Sequence, residues 1–141
     1  MVKLRKYEQK FDHIVLDTNV LVAGIINPFG NPAKVLNLVL NDELIINADT
    51  RILSEYERVL KSQKFFFPKD HINVLLQFIF HQCCLIVPNP LRVDLVDEDD
   101  LPFIEVALQE NIPFITGNKK HFKSIENFKI YSPSEFLSDL S

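Results

Sequence analysis

Short apolar runs alternate with stretches of helical periodicity along this chain, and no other feature limits its fold so strongly. Residues 14–16 (IVL) read as a strand of the buried type. A second strand is expected at 44–47 (LIIN), a third near 85–87 (LIV), closed by Pro88 and Pro90, a fourth at 113–116 (PFIT) and a short fifth at 129–131 (KIY). Between them, 31–43 carries Val35, Leu36, Val39 and Leu40 at helical spacing, with Asn31 as the expected N-cap and Pro32 in the first position. The stretch 49–62 predicts a helix capped by Asp49 or Thr50, and another begins at about Asp70. A helix over 101–111 accepts Pro102 only in its first turn, and 132–140 forms the closing helix. Such alternation predicts a three-layer α/β/α fold around an open, mainly parallel sheet of four or five strands. In sheets of this kind functional groups gather beyond the carboxyl ends of the strands.

One domain over residues 1–141 is expected, because 47% hydrophobic content suffices for one core and no repeat or Pro/Gly/Ser-rich linker divides it. Residues 1–11 read as a flexible basic arm that lacks the apolar centre of a secretory signal. Neighbouring residues in regular structure point their side chains apart, so Cys83 and Cys84 predict reduced thiols in a cytoplasmic protein. The most apolar segment, 72–87, is interrupted by Asn73, Gln77, His81 and Gln82. It is shorter than the roughly 20 residues of a bilayer span, so no membrane association is expected. The formal net charge of −4 speaks weakly against a generic nucleic-acid binder. Charge is unevenly distributed, however: acids crowd 94–100 and lysines crowd 119–123, an arrangement that can bind a phosphate chain despite the acidic total.

The acids carry the functional question. Asp17 directly follows the first strand, where it either caps the next helix or acts as a ligand, and Thr18 and Asn19 suit both readings. In the helix over 49–62, a rotation of about 100° per residue puts Ile52, Leu53, Tyr56, Val59 and Leu60 on the buried stripe, with Glu55 and Glu57 on opposite edges. Periodicity does not choose between those two. Asp94, Asp97, Glu98, Asp99 and Asp100 precede the 101–111 helix and exceed what capping requires. Acids clustered in a fold need a cation or a proton to relieve them. Beyond the fourth strand, Thr116 and Gly117 form a tight exit, Asn118 offers a neutral oxygen or a cap, and Lys119, Lys120 and Lys123 follow as either a solvated face or a binding group.

Taken in order, "LDTNVLVAG", Glu55 in "ILSEYERVL", "DEDDLPFIEVAL" and "ITGNKKHF" resemble the PIN-domain family, metal-dependent nucleases that include the VapC-like toxins of toxin–antitoxin pairs. The third motif resembles the family's Asp-x-x-Asp-x-x-Phe pattern, and the likeness extends from about Ile14 to Tyr131. It implies that Asp17, Glu55 and Asp100 are the catalytic, metal-binding acids, with Asp97 as an accessory ligand. Thr18, Asn19, Thr116 and Asn118 become supporting residues, and Thr116 is placed to orient water or a phosphate oxygen. Many relatives carry Asp where this chain has Asn118, a departure that removes a charge from a second metal position.

The implied activity is endonucleolytic cleavage of RNA with Mg2+ or Mn2+, with Lys119 and Lys120 on the RNA backbone. The implied partners are a cognate antitoxin that covers the cleft and a second copy in a homodimer. Magnesium suits such an oxygen-rich set, whereas the four histidines show no zinc-ligand spacing with the cysteines. A haloacid-dehalogenase-type phosphatase is disfavoured because "DTNV" lacks the second Asp of a DxD start. The alternative is a PIN-like module weakened at Asn118 that binds RNA or protein without cutting.

Overall fold

The computed structural model describes residues 10–89, 97–122 and 124–140. Asp94, Pro90, Lys123 and most of the basic arm lie outside these residues. The strands are β1 (His13–Leu16), β2 (Ile45–Ala48), β3 (Cys84–Leu85), β4 (Phe114–Ile115) and β5 (Ile130–Tyr131). The helices are α1 (Thr18–Ile26), α2 (Asn31–Leu40), α3 (Thr50–Leu60), α4 (Lys69–Gln82), α5 (Leu101–Glu110) and α6 (Pro133–Asp139), and a 3-10 turn covers Lys119–Phe122.

The expected layered α/β architecture is present, with a five-stranded sheet in the order β3-β2-β1-β4-β5 and every pairing parallel. Ile14, Val15 and Leu16 are fully buried, as a central strand covered on both faces requires. Chain order reverses on either side of β1, so a crevice opens between the carboxyl ends of β1 and β4, where open α/β sheets place their ligands. Asp17 and Thr116 are the first residues beyond those two ends.

Several local expectations are corrected. Gly30, extended at φ −86° and ψ 171°, is the N-cap of α2, and Asn31 is already helical, so Pro32 falls one position deeper than expected. The third strand is Cys84–Leu85, one step earlier than 85–87, although the Ile86 amide still reaches the Ala48 carbonyl at 2.8 Å. The fourth strand shortens to Phe114–Ile115. Asp49, rather than Thr50, caps α3, accepting a hydrogen bond from the Ile52 amide at 3.0 Å. The last two residues assigned to the arm are anchored: the Lys10 amide donates to the Leu140 carbonyl at 2.9 Å, and the Phe11 ring packs against Tyr131 and Phe136. Burying an aromatic ring fixes this stretch where charge alone suggested freedom. Both cysteines are free thiols, and among the described residues no helix is long and apolar enough to cross a membrane.

Candidate active site

Asp17 is the backbone N-cap of α1, yet its side chain makes no capping hydrogen bond. Its Oδ2 instead accepts from the hydroxyl of Thr116 at 2.6 Å, across the crevice between β1 and β4. Thr116 is fully buried, and its Oγ also accepts the Asn118 amide at 3.0 Å. Asn19 closes the same side, its Oδ1 accepting the Gly117 amide at 3.2 Å. Two side chains of the first motif are thereby tied to the fourth, one to the Thr116 hydroxyl and one to the Gly117 amide.

Glu55 reaches this place from α3 and accepts a short hydrogen bond from the Thr18 hydroxyl. Glu57 lies apart, paired with Lys61 at 3.7 Å in a half-exposed surface contact. A residue that the sequence analysis assigned only to the core fixes α3 here: fully buried Tyr56 donates its hydroxyl to the carbonyl of Leu16 at 2.5 Å. This bond joins the residue next to Glu55 to the residue before Asp17. A buried tyrosine hydroxyl needs an acceptor, and that requirement was the available signal.

Asp100 stands at the start of α5, again without a side-chain cap, and completes the third edge. The three acids line one open cleft of about 420 Å3 whose other wall is apolar, formed by Val22, Ala23, Ile26, Val59 and Phe65. Asp97 is not in that lining. Its Oδ1 accepts the Asp99 amide at 3.3 Å and its carbonyl accepts the Asp100 amide at 2.9 Å, so it shapes the turn that presents Asp100. His121, not anticipated as a site residue, brings Nδ1 within 3.7 Å of Asp100 Oδ2.

The electrostatics follow from this placement. Burial pushes the Asp17 pKa from 3.8 up to about 6; the Thr116 hydroxyl opposes the shift, while the charges of Asp100 and Glu55 add to it. Asp100 is also raised, first by burial and then by Asp97, with His121 acting in the other direction. Oxygen donors around charges that burial disfavours suit a hard divalent cation. The acids do not form a closed ligand set, however. Among the described residues no three His, Cys, Asp or Glu side chains are gathered tightly enough to hold an ion on their own.

The lysines differ from one another. Lys119 bonds both oxygens of Glu135, at 3.2 and 2.9 Å, because the 3-10 turn passes over the start of α6, where Glu135 also completes a capping box with Ser132. Lys120 is exposed.

Comparison with known proteins bears on this arrangement. The chain is 30% identical to the uncharacterized protein MJ1680 of Methanocaldococcus jannaschii across 99% of its own length and 96% of that protein. Its fold is similar to the structure of VapBC2 from Rickettsia felis bound to a DNA fragment from their promoter, with TM-score 0.62 and 24% identity over 85% of this chain and 98% of that one. It is also similar to VapBC-1 from nontypeable Haemophilus influenzae, with TM-score 0.59 and 19% identity over 86% of this chain and 98% of that one. A family model for the PIN domain matches residues 13–120, a span that contains Asp17, Glu55, Asp100 and Thr116, and the chain belongs to the PIN-domain family.

Proposed function

We propose that this protein is a metal-dependent endoribonuclease, the toxin of a toxin–antitoxin pair, in which Asp17, Glu55 and Asp100 hold Mg2+ or Mn2+. The observation that carries the reading is Asp17 itself: a half-buried carboxylate at a strand end, raised to about pKa 6, beside two more acids in a cleft open to solvent. Such a group is stabilised as an anion by a cation. Magnesium keeps several waters and binds through one or two carboxylates, so a looser acid set is compatible with it. When bound, the ion supplies an activated water and neutralises phosphoryl charge. The chain's own contribution is orientation. The hydroxyls of Thr116 and Thr18 each hold one oxygen of Asp17 and Glu55, and the Asp97 turn holds Asp100.

Exposed Lys120, and Lys119 when it exchanges Glu135 for phosphate, would contact the RNA backbone. Family resemblance and the fold likeness to VapBC2 and VapBC-1 support an antitoxin as partner, covering the cleft in the cytoplasm. The same resemblance supports a homodimer.

Purified protein should cut internal bonds of RNA with Mn2+ or Mg2+ and fall silent in EDTA. Asp17→Asn should lower cleavage by about a hundredfold or more while the chain stays folded. Full activity in the variant, or undiminished activity in EDTA, would refute the assignment. Neutral Asn118 and the unclosed ligand set favour a second reading, a module that binds RNA or protein without cutting. Metal-dependent cleavage by the parent chain rejects it.

A further inference from the structure

The turn after α3 and the first residue of α4 read "KSQKFFFPK" over residues 61–69, with three lysines and no acid in a chain of net charge −4. Its three phenylalanines are placed differently. Phe65 lines the acidic cleft, and Phe65 and Phe67 pack against the core with their rings stacked at 5.4 Å. Phe66 between them is 87% exposed, with φ at 53°. The left-handed region is disfavoured for a bulky residue, and such strain persists where the surrounding structure enforces it. Here the enforcement comes from the two partly buried neighbours packed against the core and from Ser62, whose hydroxyl accepts the Lys64 amide at 3.2 Å. Beside Phe66 lies a second cavity of about 480 Å3 bordered by Lys61, Phe67, Lys69 and Ile72.

We propose that residues 61–69 form a docking platform for single-stranded RNA that continues the acidic cleft, with Phe66 as a stacking face for a base and Lys61, Lys64 and Lys69 as contacts for the flanking phosphates. The proposal deepens the ribonuclease reading and rests on it for the identity of the nucleic acid. Continuity comes from the Phe65–Phe67 stack, which has one ring at each cavity. Charge argues for a polyanion rather than an apolar peptide. The exposed ring stands among lysines, and Lys64 lies 5.5 Å from the centre of the Phe65 ring. Lys61 pairs with Glu57 at 3.7 Å in a half-exposed contact that exchanges readily for phosphate. Aromatic stacking with basic flanks is how single strands are held without sequence readout.

The test is fluorescence anisotropy with a labelled single-stranded RNA of about ten nucleotides, in EDTA so that binding is read without cleavage. Phe66→Ala should weaken binding by about fivefold or more, and Phe66→Trp should restore it. Lys64→Gln should lower the salt slope by about 0.7. With metal present, Phe66→Ala should raise KM and leave kcat unchanged. Unaltered RNA affinity in Phe66→Ala overturns the platform, as does loss of self-association or of acidic-peptide binding in place of RNA binding. Should the parent chain bind RNA through Phe66 yet never cut it, the nuclease reading fails and the platform stands; cleavage indifferent to Phe66 has the opposite meaning.

Discussion

Asp17 and Asp49 occupy matching places: each directly follows one of two neighbouring parallel strands, and each is the backbone N-cap of the next helix. Their side chains do different work. Asp49, 2% exposed, accepts the Ile52 amide at 3.0 Å and pairs with Arg51 at 2.6 Å, and Arg51 reaches on to Glu105 at 3.0 Å. The Asp17 carboxylate makes no such cap and instead accepts the Thr116 hydroxyl at 2.6 Å. Two residues beyond Asp49 stands a cation; two residues beyond Asp17 stands Asn19, neutral and bound to the Gly117 amide. Position at a strand end therefore does not decide what a carboxylate is for. The neighbour that compensates its charge, or fails to, decides it.

The largest expected effect on stability lies in pH. The folded chain holds the Asp17 proton up to about pH 6, whereas an unfolded aspartate releases it near 3.8. Between those values the folded state binds more protons, so stability falls as pH rises, and the full penalty is present above about pH 6. Two units correspond to roughly 2–3 kcal/mol. In metal-free urea unfolding, Asp17→Asn should be more stable than the parent at neutral pH and should lose most of this slope. Added Mn2+ should stabilise the parent more at neutral pH than in acid, since the ion competes with the proton. A parent chain whose stability is level across that window would place the charge of Asp17 in solvent and dissolve the contrast with Asp49.

Asp49→Ala should act in the opposite direction, lowering stability by about 1–2 kcal/mol through the lost cap. The ion pair adds little, because the Arg51 side chain is 45% exposed. Cleavage per folded molecule should persist. Thermal unfolding of Asp49→Ala beside Asp17→Ala checks the signs, and destabilisation of both to the same degree would show two structural caps.

What the sequence made legible follows the same division. The strands, the helix order and Asp17 at a strand end were readable, since burial and periodicity are local signals. The choice of Glu55 over Glu57 came from family resemblance, because both sit at the edge of the same stripe. The geometry separates them by a bond from Thr18 that spans 37 residues of sequence. The Asp17–Thr116 bond spans 99 residues and the Tyr56–Leu16 bond 40, and no local pattern encodes either. Asp97 entered the acid set through the family resemblance, and the turn bond from the Asp99 amide to its Oδ1 is a contact that no sequence pattern announced. Lys119 and Lys120 read alike in the sequence, and the fold separates them by pairing Lys119 with Glu135 at 2.9 Å.

Asn118 allows the contrast to be sharpened on the smallest scale. Its amide bonds the same Thr116 hydroxyl that bonds Asp17, and its carbonyl accepts the His121 amide at 3.1 Å, so residue 118 is placed by the site while remaining exposed. Asn118→Asp would add a charge one hydrogen-bonded group away from Asp17 without disturbing those backbone bonds. In a solvated position a unit charge at close range is worth about 1 kcal/mol, or roughly fivefold in affinity. Calorimetry should find Mn2+ bound about that much more tightly, with the midpoint of the acid-linked stability change moved upward, because an added anion disfavours ionised Asp17 as it favours the cation. Both shifts must occur together: tighter binding alone would mean that the new carboxylate acts at a separate place, and neither shift would mean that the neutral residue at 118 takes nothing from the site.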